Sequence, residues 1–256
     1  MKQIEISSTQ NDLVKFAVKL QDSKFRKSQK LILVDGTQTL EGMFSDNVFF
    51  KYLFVKKGHR FEKYSKIENL VFVNDEILKK ISTTKSPTDA IGIIEEPHVS
   101  LKDFEKLKKI ALIDNIKDAG NLGTIIRSAV AFSIEGIVLF GDCVDLYNSK
   151  TIRATAQNIF KIPILRTKNV DDIKILKNNH KLVSTVVNSK NDFSNAELGS
   201  DFILAFGSEA NGISEEIISL SDEQVTFFMD NDVESLNLGV CASIAFAFLK
   251  MKKGCK

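Results

Sequence analysis

The sequence predicts an α/β protein in two parts. A small N-terminal α/β domain covers residues 1–96, and a larger domain with a mainly parallel sheet covers residues 109–256, with residues 97–108 as the linker. Three observations support this reading. Short β-branched apolar runs alternate with helical periodicity along the chain, the pattern of strand-helix units. That pattern breaks at Glu95-Glu96-Pro97-His98, where a proline interrupts it. Beyond the break the alternating units lengthen and end in an apolar helix.

The elements follow in order. Leu13, Phe16, Ala17 and Leu20 share one face of a helix over 12–20. Residues 30–35 form a β-branched strand closed by Gly36. A helix over 37–44 comes next, then strands at 52–55, 70–73 and 90–94. A charged helix over 101–108 leads into the second domain. There, strands at 110–114 and 136–140 enclose a helix over 122–132, and a helix over 148–157 follows. Further strands are expected at 162–165, 182–187, 202–206 and 224–228, before a closing helix over 236–250. Apolar strands separated by helices imply a sheet covered on both faces.

Composition narrows the functional classes. Hydrophobic residues make up 43% and charged residues 27%, a globular profile. No apolar run approaches the roughly 20 residues that span a bilayer. The first residues lack the apolar core of a secretory signal, so the expected location is the cytoplasm. Cys143, Cys241 and Cys255 are odd in number and widely spaced, and His59, His98 and His180 are isolated. No metal site and no Cys-His nucleophile is expected from such spacing. Net charge is only +2, but two basic clusters stand out: Lys15, Lys19, Lys24, Arg26, Lys27 and Lys30, then Lys51, Lys56, Lys57, Arg60, Lys63 and Lys66. Solvated surface and a phosphate-contacting face both fit them, and charge alone does not decide.

In an open parallel sheet, ligands bind at the C-terminal strand ends. Three loops at such ends are rich in glycine and small polar residues. The first runs from Asp114 to Arg127 and contains Asn121 and Gly120-x-x-Gly123, which fits a nucleotide-binding turn or simply a tight turn into a helix. The second is Gly207-Ser-Glu209-Ala-Asn-Gly212-Ile-Ser214, where Ser214 reads as a helix cap and Gly207 and Glu209 stay unexplained. The third runs from Asp230 to Gly239 and includes Glu234-Ser235-Leu236-Asn237, with Ser235 or Asn237 as a possible cap of the last helix.

In this order, the three loops resemble the three motifs of the SpoU (TrmH-type) RNA ribose methyltransferases: N-x-x-G-N-x-G…R, F-G-x-E-x-x-G and E-S-L-N. The resemblance covers residues 109–250 closely, and residues 20–96 are similar, more loosely, to the substrate-binding domain found in front of many members. Ala119, Ser208 and Phe228 depart from the usual residues without removing a functional side chain.

The resemblance implies an α/β fold with a C-terminal trefoil knot, a homodimer with sites at the subunit interface, and S-adenosyl-L-methionine as cofactor. Its substrate would be structured RNA, ribosomal or transfer, methylated at a ribose 2′-hydroxyl. Gly207, Phe227 and Leu236 match cofactor-binding positions, where main-chain groups meet the ligand. Arg127 matches the catalytic arginine, as a base or, since guanidinium stays protonated, as a phosphate ligand and charge stabiliser. Asn121, Glu209, Ser235 and Asn237 match positions that orient the arginine, the ribose or the cofactor loop. Arg26, Lys27 and Arg60 are the candidate RNA contacts. A non-catalytic RNA-binding protein and a nicotinamide-dependent oxidoreductase are the competing classes. The first is opposed by the presence of Asn121, Arg127, Glu209 and Asn237, the second by a missing third glycine.

Overall fold

The computed structural model describes residues 1–84, 88–227, 229–230 and 235–254. Phe228, Glu234 and Cys255, singled out above, lie outside the described residues. The chain forms two compact units, one of Met1–His98 with Tyr147–Gln157, the other of Val99–Leu146 with Asn158–Lys256.

The first unit contains β1 (Lys2–Glu5), α1 (Asp12–Lys19), α2 (Ser23–Gln29), β2 (Leu31–Asp35), α3 (Thr37–Ser45), β3 (Phe50–Val55), β4 (Ile67–Phe72), α4 (Asp75–Ile81) and β5 (Ala90–Glu95). Its sheet has the order β1-β4-β3-β5-β2. β1, β4 and β3 run parallel, while β5 is antiparallel to both β3 and β2. Side chains of Asn11, Asp22 and Asn74 accept from first-turn amides of α1, α2 and α4, satisfying donors that a helix start leaves orphaned. Val14, Ala17 and Leu20 pack with Leu33, Phe54, Val71, Ile77 and Ile91 on one face of the sheet. The helix Ser149–Ala154, expected in the second domain, packs against β2 in this unit.

The second unit contains α5 (Leu101–Phe104), β6 (Lys109–Asp114), α6 (Ala119–Ala131) and β7 (Gly136–Phe140); the helix Ser149–Ala154 is counted as α7. It continues with β8 (Ile164–Thr167), α8 (Val170–Lys177), β9 (Lys181–Thr185), β10 (Phe202–Phe206), α9 (Glu215–Leu220), β11 (Glu223–Val225) and α10 (Leu238–Gly254). All six strands are parallel, in the order β11-β9-β10-β6-β7-β8. β7 and β10 are buried at every position, as expected of strands covered on both faces. β10 lies between β9 and β6, so the loops after β6 and β10 are neighbours. The chain then leaves the sheet at β11 on the edge and returns to pack α10 against α6. Phe246 of α10 meets Phe206 edge to face, with centroids 5.6 Å apart.

Two further expectations are corrected. The helix expected over 101–108 stops at Phe104, because Lys108, the residue before β6, is already bonded to the start of β10. Its amide donates to Glu135 Oε2 at 2.7 Å and its carbonyl accepts from Phe202 N at 2.7 Å. The last helix starts at Leu238 and not at 236. Asn237 stands before it, its Oδ1 accepting from Val240 N at 3.2 Å and its carbonyl from Cys241 N at 2.9 Å. β1, α2, α4 and α8 are short additions that periodicity did not reveal.

In β5, a Cβ on Gly92 would lie 2.5 Å from the ring of Phe50, which is fully buried. Gly92→Ala is therefore expected to destabilise the protein by about 1–3 kcal/mol, the usual cost of overpacking a core. A urea unfolding midpoint equal to wild type would show that the ring yields.

Candidate active site

The loops after β6 and β10 are joined by a buried acid. Asp114, the last residue of β6, is fully buried. Its Oδ2 accepts from the main-chain amide of Ser214 at 2.6 Å, and its Oδ1 accepts from Asn115 Nδ2 at 2.7 Å. Asn115 in turn accepts from the amide of Asp142 at 2.8 Å, bringing in the loop after β7. A buried carboxylate needs such donors to offset its lost hydration. Ser214 precedes α9, but its side chain makes no capping bond, and its hydroxyl is buried without a partner.

The second loop closes on itself. Ser208 N donates to Gly212 O at 3.0 Å, and Gly212 N donates back to Ser208 O at 2.9 Å. A Cβ on Gly207 would sit 2.0 Å from the carbonyl carbon of Gly212 and 2.1 Å from Ile213 N. Gly207 is thus required by the tight turn itself, in addition to any approach of a ligand. Glu209 projects from the exposed tip and accepts a hydrogen bond from Asn121 Nδ2 on α6. The first two motifs therefore meet through side chains as well as through Asp114. The start of α6 is held by Asp118, which accepts from Asn121 N at 2.8 Å.

Beside this loop lies a cavity of about 550 Å³. Gly207, Glu209, Phe227, Ser235 and Leu236 line it, together with Thr185, Val186, Val187, Thr226 and Cys241, which sequence reasoning did not select. The signal for them was available, since they stand at or just past the ends of β9 and β11 or in the first turn of the last helix. Asn237 and Arg127 are not lining residues. Asn237 supports α10, where Gly239 sits so close to Thr124 of α6 that a Cβ would come within 3.2 Å of its side chain. Ser128 and Ser243 share a hydrogen bond of 2.6 Å between the same two helices. Arg127 is exposed on α6. Burial pushes the Cys241 thiol up to about 11, so it is a protonated, weakly nucleophilic wall group at neutral pH.

The cavity fits an adenosine-bearing ligand. Its volume falls in the range typical of small-molecule sites, roughly 300–1,000 Å³. The Thr185 and Thr226 hydroxyls donate to the carbonyls of Ala205 and Val187, each at 2.9 Å, so they are occupied by the fold. That leaves main-chain groups of the loops and apolar walls such as Ile213, Leu236 and Leu238 to meet a purine ring. Among the described residues, no cluster of His, Cys, Asp and Glu could hold a metal, and no helix is long and apolar enough to cross a membrane.

The basic candidates in the first unit fare differently from one another. Arg26 is buried, and its Nη1 donates to the carbonyls of Leu20 at 2.8 Å and Gln21 at 3.1 Å. Its guanidinium holds the C-terminal end of α1, so a role as an RNA contact does not fit this geometry. Lys27 is exposed. Arg60 pairs with Glu41 and lies over the Phe61 ring at 5.4 Å.

The tie through Asp114 can be tested by calorimetry with S-adenosyl-L-methionine. Asp114→Ala strands a buried amide, and the affinity is expected to fall about ten-fold or more. Asp114→Asn, which retains one acceptor oxygen, should lose less. Equal affinity in all three proteins would show that the second loop holds its shape without the carboxylate.

Comparison with known proteins identifies the family and the fold. Residues 108–247 match the model of the SpoU rRNA Methylase family, and residues 11–92 match the MRM3-like substrate binding domain. The chain is 27% identical over 256 residues to the 23S rRNA (guanosine(2553)-2′-O)-methyltransferase RlmP of Bacillus subtilis, covering 98% of this chain and 100% of that one. It is also 27% identical to an uncharacterized tRNA/rRNA methyltransferase of Synechocystis, covering 93% and 90% of the two chains. The fold matches an AdoMet-bound rRNA methyltransferase of Sinorhizobium meliloti with a TM-score of 0.89 at 24% identity over 98% of both chains. It matches the SpoU methyltransferase AviRb of Streptomyces viridochromogenes with a TM-score of 0.84 at 20% identity, over 95% of this chain and 98% of that one. The family match alone spans more than half of the sequence, so the chain belongs to the SpoU rRNA methylase family and is an S-adenosyl-L-methionine-dependent RNA methyltransferase.

Proposed function

We propose that this protein methylates a ribose 2′-hydroxyl in structured RNA, ribosomal or transfer, and that it works in the cytoplasm as a homodimer. The observation behind this reading is the meeting of motif residues around one cavity. Asn121 is bonded to Glu209, and Gly207, Phe227, Ser235 and Leu236 line the wall beside them. Ribosomal RNA is favoured by the family description and by the full-length similarity to RlmP.

In this reading, residues 1–96 bind the substrate, residues 97–108 connect, and residues 109–256 carry the chemistry. The bound cofactor supplies an electrophilic sulfonium methyl group, and the protein supplies position. Gly207, Phe227 and Leu236 hold the cofactor, with the Phe227 ring braced on Phe193 at 4.6 Å. The Asn121–Glu209 pair fixes the tip of the second loop at the cavity rim, where Ser235 also stands. Asn237 keeps α10 in register beneath it. Arg127 binds phosphate at the target nucleotide and stabilises the negative charge that develops on the attacking hydroxyl oxygen. Since Arg127 does not line the cavity of its own chain, a second copy is the natural source of the arginine for each site. Exposed Val240, Ile244 and Met251 on α10 provide apolar surface for that pairing. Lys27 and Arg60 remain candidate RNA contacts.

The decisive assay uses tritiated S-adenosyl-L-methionine and total RNA from a strain lacking the protein. Label should enter RNA as a 2′-O-methylated nucleoside. No labelling by folded protein, together with no missing mark in that strain, would overturn the reading. Arg127→Ala should bind the cofactor normally yet lose activity by about 10²–10³-fold, the scale for removing one stabiliser of developing charge. Full activity would exclude Arg127.

A further inference from the structure

The first unit carries aromatic surface that its core does not use. Phe44, Phe50 and Phe61 are buried together near the end of α3 and the starts of β3 and β4, with Phe44 4.6 Å from Phe50 and 4.9 Å from Phe61 between ring centroids. Tyr64 lies flat on Phe44, with centroids 3.9 Å apart and planes 9° apart, yet it remains 37% exposed. Phe49, one residue before β3, is 55% exposed. The amide of Phe50 donates to the carbonyl of Lys66 at 2.9 Å, two residues past Tyr64, so both open rings border the same end of the sheet.

Cations neighbour these rings along the chain. Lys63 and Lys66 are exposed, and Lys66 Nζ donates to the carbonyl of Asn47 at 3.2 Å, which holds it beside the turn leading to Phe49. Arg60, paired with Glu41, lies over Phe61. A protein partner burying Phe49 and Tyr64 would also have to desolvate these charges, whereas a single-stranded polyanion with flat bases satisfies rings and charges together.

We propose that this end of the sheet is a stacking subsite for an unpaired nucleotide of the RNA substrate. Phe49 and Tyr64 offer ring faces to the base, and Lys63 and Lys66 meet the flanking phosphates. The proposal rests on the reading that the chain acts on RNA, and it assigns the class of RNA feature that the first unit recognises. A duplex hides its base faces, so the subsite takes a loop, bulge or strand end.

Fluorescence anisotropy of the full-length protein tests this, with a labelled single-stranded RNA of about 12 nucleotides and a blunt duplex of equal length. Wild type should bind the single strand more tightly. Phe49→Leu and Tyr64→Leu should each weaken that binding roughly ten-fold while leaving its salt dependence and S-adenosyl-L-methionine affinity unchanged, because stacking releases no counterions. Phe49→Tyr should restore it. Lys63→Gln and Lys66→Gln should instead flatten the salt dependence, by about 0.7 in log-log slope for each phosphate that is no longer neutralised. Phe49 is the more exposed ring, so its variants keep the test valid if Tyr64→Leu fails to fold. Wild-type affinity in Phe49→Leu, or an equal loss on the duplex, would overturn the subsite. Methyl transfer to total RNA by those same variants would show that the RNA methyltransferase reading survives that outcome.

Discussion

The geometry of the active site depends on one buried carboxylate. Asp114 ends the central strand β6, and burying an acid there without partners would cost several kcal/mol. The cost is offset by the amide of Ser214 and the side chain of Asn115, two charge-assisted bonds each worth roughly 1.5–3 kcal/mol. Through them the loops after β6, β7 and β10 are fastened at one point. Every later feature of the site inherits this fastening. The second loop closes between Ser208 and Gly212, and its far end is anchored at Ser214. Glu209 can then reach Asn121 from a fixed base. The anchor is a main-chain amide, which explains why the Ser214 hydroxyl can remain buried and unpaired without loosening the loop.

A second constraint acts from the other side. α10 packs directly on α6, and Gly239 and Thr124 bring the two helices into close approach. α6 begins at the first motif and α10 follows the third, so their packing sets the distance between those motifs. The cavity lies beside the closed second loop, and Ser235, Leu236 and Leu238, next to the start of α10, line it from the other side. Strand order contributes as well. β10 is placed between β9 and β6, and the chain must return from the β11 edge to reach α6, a path that accords with the trefoil-knotted fold of the family.

These constraints were legible in the sequence to different degrees. The apolar runs of β6, β7 and β10 and the long α10 were clear, because buried parallel strands and a buried helix need nearly continuous apolar residues. Short elements such as α2 and α4 were not, since one or two turns give too few positions to establish a period. Their caps, Asp22 and Asn74, were the readable signal. Gly207 was recognised as special, but for approach to the cofactor, whereas the structure shows the collision to be with Gly212 and Ile213. Arg26 looked like its basic neighbours, and only its bonds to the Leu20 and Gln21 carbonyls set it apart. Sequence proximity reports a charge cluster. It does not report where each side chain points.

The same distinction governs the chemistry. In the proposed reading, the cofactor is held by closed loops and main-chain groups, whose shape depends on Gly207 and Asp114 more than on the other side chains. Acting on RNA is assigned by the same proposal to side chains on the surface, Arg127 among them. A guanidinium lowers a barrier only where charge develops, and in a single chain Arg127 lies on an exposed stretch of α6, outside the cavity wall. In the proposed reading, a single chain offers a place for the methyl donor but does not bring Arg127 to it. Pairing through the exposed apolar residues of α10 would supply that residue, and the requirement has a physical benefit. An isolated, partly assembled chain could hold its cofactor without placing a charged catalyst beside it, so methyl transfer would await both the partner and the RNA.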